Sequence, residues 1–189
     1  MRTFTAPLCE LGEFEEITKL LKKPNAAAAL TGCVDSQKLH MVYGLSDGFK
    51  YKIIVTFSDL RAKEIYEDYK LYDKNVMFYP AKDLIFYQAD IHGNELVKER
   101  IKVLRRIMEG RPLTVVTTFD GLMSPQVSLD VLKRYVVSVG YQSGINEREL
   151  AKKLVRMGYE KNYQVEAPGQ FSIRGGIVDI FDLTEENPY

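Results

Sequence analysis

The chain has 189 residues, with Lys+Arg and Asp+Glu at 26 each and 46% hydrophobic residues, which supplies a real core for one large or two small domains and argues against disorder. A formal net charge of zero excludes a protein that holds nucleic acid by its overall field, so any nucleic-acid contact is local or lies elsewhere. Cys9 and Cys33 fit no metal-ligand spacing and suggest a reducing, cytoplasmic setting; no apolar run approaches the roughly 20 residues of a bilayer span, and residues 1–10 lack the order of a signal peptide.

Phe14, Ile17, Leu20 and Leu21 share one helical face before Lys22, Lys23 and Pro24. Residues 27–30 are short and apolar and read as a buried strand, and a helix follows over about 36–45. Residues 51–57, centred on Ile53, Ile54 and Val55, form a strong strand. Ser58 can accept from free N–H groups and Asp59 suits the positive end of the dipole, so a helix starts there with Ala62, Ile65, Tyr66 and Tyr69 on its face. Residues 75–79 read as a strand stopped by Pro80. Asn94 caps a long helix with the stripe Val97, Ile101, Leu104 and Met108, Gly110 ends it, and residues 113–118 form the next strand. The repeated strand-helix alternation predicts a mainly parallel sheet with helices on both faces.

The rhythm changes after Pro125. Residues 135–141 alternate loosely like a strand, with Val137 and Val139 on one side. Asn146 and Glu149 form a capping-box-like pair before the stripe Leu150, Leu154 and Met157. Residues 171–174 and 177–181 read as two strands around Gly175 and Gly176. The boundary falls near 124–127 and gives domains 1–124 and 125–189.

Residues 31–39 read Thr-Gly-Cys-Val-Asp-Ser-Gln-Lys-Leu and fall between the first predicted strand and a helix, the place of a Walker A loop. Gly32 and Lys38 keep the spacing of G-x-x-x-x-G-K-[ST], but Gln37 replaces the second glycine and Leu39 the hydroxyl residue. That glycine lets the backbone close on phosphates, and the hydroxyl ligates Mg²⁺. Asp35 adds negative charge where phosphates would sit. The segment reads as an ordinary strand-helix turn or as a decayed nucleotide loop, and ATP hydrolysis by this chain is not expected. His40 and His92 are far apart and flanked by no Ser or Cys motif, so no catalytic triad is expected. The scattered tyrosines read as core and interface rather than as a base-stacking platform.

The stretch Gln170-Phe-Ser-Ile-Arg-Gly-Gly-Ile-Val-Asp-Ile-Phe181 resembles the F-x-x-R-G-G-x-x-D-I-F stretch shared by UvrB and the transcription-repair coupling factors. Leu154 to Tyr159 resembles that family's L-x-x-x-G-Y, Phe78-Tyr79-Pro80-Ala81 its F-P-A element, and Thr117 to Leu122 its T-x-x-x-L. Glu99 and Arg100 fall where the family places an arginine, so the similarity runs from about Leu30 to Phe181. The broken loop, the short interval between Tyr79 and Gly93, too short for UvrB's DNA-probing hairpin, and the Gly175-Gly176 pair resemble the coupling factors more than UvrB.

The resemblance implies a degenerate RecA-like domain followed by a small α/β domain that recruits UvrA. It implies no cofactor, no catalytic residue and no metal for this fragment. ATP and Mg²⁺ would belong to the parent motor, and RNA polymerase and DNA would be met through other domains. The family continues into another strand after Tyr189, so the chain is expected to be a piece of a longer protein, with intramolecular contacts to the remainder. Arg174, Lys161 and Phe171 are the implied UvrA-contacting residues. Arginine suits that task because its planar fork pairs with carboxylates. Ser172 stands where UvrB has a further arginine, and Phe171 also reads as core. The expected function is a repair adaptor. The alternatives are a UvrB-like nucleotide- or DNA-binding subunit, or a clamp that keeps the parent motor at rest.

Overall fold

The computed structural model describes residues 3–81, 92–138, 140, 144 and 146–189. The chain divides into two units, residues 1–83 with 109–124 and residues 84–108 with 125–189. Among the described residues no helix is long and apolar enough to cross a membrane.

The first unit is built on a parallel sheet of order β1-β3-β2, with β1 at Tyr51–Thr56, β2 at Val76–Tyr79 and β3 at Leu113–Thr118. Helices α1 (Phe14–Leu21), α2 (Asp35–Leu45) and α3 (Asp59–Tyr69) precede or separate these strands. The Ser58 side chain caps α3 by accepting from the Arg61 N–H. Ile54, Val116 and Phe78 lie side by side in register, and they meet Ala62, Ile65 and Tyr69 of α3 with Leu39 and Tyr43 of α2. The Tyr69 side chain is fully buried, and burial pushes its phenol up to about 12. A second cluster joins Leu8, in a 3-10 turn at Pro7–Glu10, to Phe14, Met41 and Leu45.

Two expectations change here. Residues 27–30 form no strand; Ala27 to Leu30 are exposed and pair with nothing in the sheet. Alanine has little side chain to pack on a pleated surface, and left-handed Asn25 and Gly32 interrupt extension on either side. Helical cover is also one-sided over β1, where Tyr51, Ile53 and Val55 remain 47%, 61% and 38% exposed.

Asp73 ties the three strands together. It accepts from Lys52 Nζ of β1 at 3.3 Å, from the Thr114 hydroxyl of β3 at 2.7 Å, and from the Asn75 N–H just before β2 at 2.9 Å. Both members of the Lys52–Asp73 pair are largely buried. Burial alone would raise the Asp73 carboxyl, but the Asn75 N–H, the Thr114 hydroxyl and the Lys52 ammonium outweigh it and hold the pKa below its ordinary 3.8. Thr117 adds a side-chain bond to the Tyr79 carbonyl at 2.7 Å, linking the ends of β3 and β2. After β3 comes the short helix α5 (Phe119–Met123), capped by Thr118.

The second unit contains α4 (His92–Met108), α6 (Leu129–Arg134), α7 (Glu147–Arg156) and a small sheet of order β4-β5-β6. Its strands are β4 (Glu160–Lys161), β5 (Gln170–Arg174) and β6 (Ile177–Ile180). Helix α4 begins two residues before Asn94, and its buried positions are Arg100, Val103 and Leu104, with Val97 exposed. The buried stripe is rotated from the expected one and includes Arg100, whose guanidinium donates to Gln126 Oε1 at 3.1 Å. Residues 135–138 are not a strand; Ser128 instead caps α6, and Val137 packs on the unit's core from an irregular segment. Val139 and Tyr141 lie outside the described residues. Asn146 caps α7 through the Arg148 N–H at 2.9 Å, and Leu150 and Leu154 bury against Tyr159 and Phe171.

Replacing Asp73 by Asn should lower stability by about 1–3 kcal/mol at neutral pH, because the buried Lys52 loses its counter-charge. A depressed carboxylate pKa stabilises the fold above the unfolded value and loses that effect as pH falls through the lower folded value. The melting difference between wild type and Asp73→Asn should therefore be full at pH 5–7 and shrink below about pH 4.

Candidate functional site

The vestigial loop comes first. Gly32 has φ +77°, and Lys38 sits in the first turns of α2, but no strand leads into the loop. Lys38 Nζ bonds Asp35 Oδ1 at 3.0 Å, and the Arg61 guanidinium approaches Asp35 at 3.5 Å. Lys38 and then Arg61 hold the Asp35 carboxyl below its ordinary range. The lysine is thus engaged by a neighbouring carboxylate on an exposed surface, with no strand to aim the loop at a phosphate. His40, likewise, stacks on Tyr72 at 5.7 Å, and Cys9 and Cys33 are free. Among the described residues no group of His, Cys, Asp or Glu could hold a metal ion.

The small sheet is more informative. Gly175 and Gly176 have φ +54° and +91°, the pattern of a two-residue type I′ turn, and Arg174 pairs with Ile177 across it. That register sorts the side chains by pleat. Phe171, Ile173, Val178 and Ile180 face the core with Leu150 and Leu154 of α7. Ser172, Arg174, Ile177 and Asp179 face the other way.

On the outward face, Arg174 is 45% exposed and donates from Nη2 to Asp179 Oδ2 at 2.6 Å. Its guanidinium carbon lies 5.8 Å from the centre of the Tyr163 ring. Tyr163 is 84% exposed, and its carbonyl accepts from the buried Ser172 hydroxyl at 2.9 Å. The exposed Ile177 lies directly across from Arg174.

The three residues assigned from the sequence therefore part company. Arg174 is on the outward surface. Phe171 is completely buried, so a partner cannot touch it; it anchors β5 instead. Lys161 is exposed on the edge strand, but it pairs with Phe171 and so belongs to the core side of the pleat, opposite Arg174. Tyr163 and Ile177 share the outward surface with Arg174, and the sequence reading assigns them no place there. The Gly-Gly turn could have revealed Ile177, because a two-residue hairpin fixes which positions share a face with Arg174. Tyr163 carries no such signal, since its place depends on a hydrogen bond from Ser172.

Residues 137–189 match the family described as UvrB interaction domain. The transcription-repair-coupling factor of Bacillus subtilis (strain 168) is 35% identical over 139 residues, 71% of this chain. Together these two matches support a transcription-repair-coupling-factor N-terminal region. The corresponding factors of Staphylococcus aureus strains bovine RF122 / ET3-1 and USA300 are each 25% identical over 191 residues, 98% of this chain. The chain spans only 12% of the length of the Bacillus factor and 16% of the Staphylococcus ones. Within this chain, the interaction-domain match contains all of α7, the small sheet and its outward face.

The turn assignment carries a test. Gly175→Asn should be nearly neutral, because Asn tolerates the first position of a type I′ turn. Gly176→Ala should cost about 1 kcal/mol from positive φ alone, as the nearest atom to a new Cβ is a side-chain oxygen 3.9 Å away. Denaturant melting of both variants distinguishes this from a turn that tolerates any residue.

Proposed function

We propose that this chain is the part of a transcription-repair coupling factor that docks UvrA, and that it does so without hydrolysing ATP. The observation that carries the reading is the outward face of the small sheet, where an exposed guanidinium lies within the segment that matches the interaction domain. Arg174 would place its fork on carboxylates of the partner. Its bond to Asp179 is an exposed ion pair, worth under about 1 kcal/mol, so exchange for an external carboxylate meets little resistance. Lys161, on the other side of the pleat, is a rim charge that assists approach rather than anchoring.

The nucleotide alternative fits the geometry less well. Gln37 and Leu39 occupy the positions of the glycine and the metal-holding hydroxyl, and Lys38 is bound to Asp35. No cofactor is assigned to this segment. Contacts with RNA polymerase and DNA, and the ATP-driven motor, are assigned to the remainder of the coupling factor. That remainder would also supply the intramolecular surfaces that mask or release the UvrA site.

Titration of purified chain into UvrA tests the docking. Arg174→Ala should weaken binding by roughly 2 kcal/mol, Arg174→Glu should do worse, and Lys161→Ala should cost under about 1 kcal/mol. All three should melt within about 0.5 kcal/mol of wild type. Wild-type affinity in both Arg174 variants sinks the assignment. Separately, steady-state phosphate release should not exceed that of a Lys38→Ala control; release above it restores the nucleotide reading.

A further inference from the structure

We infer that Tyr163 and Asp179 set the specificity of the Arg174 surface, Tyr163 as a held aromatic anchor and Asp179 as a built-in competitor, so that the surface selects a protein segment presenting a carboxylate beside an apolar side chain. This rests on the docking reading above and deepens it.

The case begins with exposure. Tyr163 and Ile177 are 84% and 62% exposed, and they flank a guanidinium on the same side of the sheet. Apolar side chains scattered singly on a surface need no explanation, but these stand with Arg174 as a group. Tyrosine and arginine are also the residue types that most often dominate binding energy at protein interfaces.

Tyr163 is restrained as well as exposed. The Ser172 hydroxyl, itself buried, holds the Tyr163 carbonyl at 2.9 Å, and the Arg174 guanidinium lies by its ring. An aromatic residue fixed at its backbone and with few rotatable bonds loses little entropy when a partner covers it.

Asp179 supplies the chemical choice. Its carboxylate occupies Arg174 at 2.6 Å in the free chain, and no other ion pair of Arg174 is present among the described residues. An incoming segment must offer a carboxylate of its own to take over the fork. If it offers none, Arg174 stays with Asp179 and the segment gains no charge contact. The exchange replaces one ion pair by another and is nearly balanced, so the surplus comes from covering Tyr163 and Ile177. A nucleic acid is the less suitable occupant, because Asp179 would repel phosphate and the only cation in this cluster is already paired.

The experiment is a titration of the whole chain against UvrA at low and at physiological salt. Tyr163→Ala should weaken binding about tenfold, and Tyr163→Phe should keep most of it. Asp179→Asn should tighten binding about two- to fivefold at low salt, with the gain shrinking at physiological salt. A purely structural Asp179 would give equal or weaker binding instead. Asp179→Ser serves as a second variant should Asn be accommodated differently, and melting curves confirm that each variant is folded. If Arg174→Ala binds like wild type, the docking reading falls. If Arg174→Ala weakens binding while Tyr163→Ala matches wild type, or while neither Asp179 variant tightens it, docking stands and this inference is overturned.

Discussion

The Gly175-Gly176 turn admits one register of β5 against β6, and a slip by a single residue would exchange every inward and outward side chain. In the observed register Phe171 and Ile173 go to the core with Val178 and Ile180. Arg174, Ile177 and Asp179 are thereby committed to the opposite side. The surface is consequently a by-product of core packing. Buried apolar area against α7 holds the strands in place, and that placement alone brings Arg174 to Asp179. Left-handed backbone at two successive glycines makes the tight connection possible at little steric expense.

Two lysine-aspartate pairs in the first unit show how burial decides what an ion pair does. Lys38 and Asp35 are 58% and 69% exposed, while Lys52 and Asp73 are 14% and 12% exposed. The first pair is screened by water and contributes little beyond holding a surface lysine in place. The second sits where solvent screening is weak, and the Asn75 N–H and Thr114 hydroxyl satisfy the remaining lone pairs of its carboxylate. Removing either buried member leaves an uncompensated charge. The sheet is thus joined at its base by polar contacts that no apolar pattern discloses, and the lysine that looks functional in the sequence is the less constrained one.

Legibility followed the same division. Strands β1, β2 and β3 were readable because β-branched and aromatic residues cluster there, and α3 and α7 because Ser58 and Asn146 precede clear stripes. The hairpin was readable because successive glycines leave little choice of turn. Residues 27–30 misled because apolar composition does not distinguish an exposed alanine run from a core strand. Residues 135–138 misled because a valine such as Val137 also suits an irregular segment that turns its side chain toward the core. The rotation of α4 was hidden because a buried arginine breaks the hydrophobic pattern that defines a face. At the candidate site, Arg174 could be found from its motif. Phe171 could only be assigned to core or surface once the pleat was known, and Lys161 could only be separated from Arg174 by strand register.

A chain of zero net charge is a poor long-range attractor, so the recognition proposed at this surface would have to be local. The geometry meets that requirement with a guanidinium already paired to its own carboxylate. Such a pair presents no naked cation to passing polyanions, yet its exposed position makes it easy to exchange. Affinity then depends on shape and apolar contact around the charge, where Tyr163 is held by its backbone and Ile177 by its strand. In the proposed docking, discrimination would come from requiring both an acceptor for the fork and an apolar neighbour at once. Either feature alone returns less than the ordering of an interface takes away. The same logic accounts for the burial of Ser172: its hydroxyl, on the outward side of the pleat but covered by the loop, holds the Tyr163 carbonyl and so fixes the backbone that carries the aromatic ring.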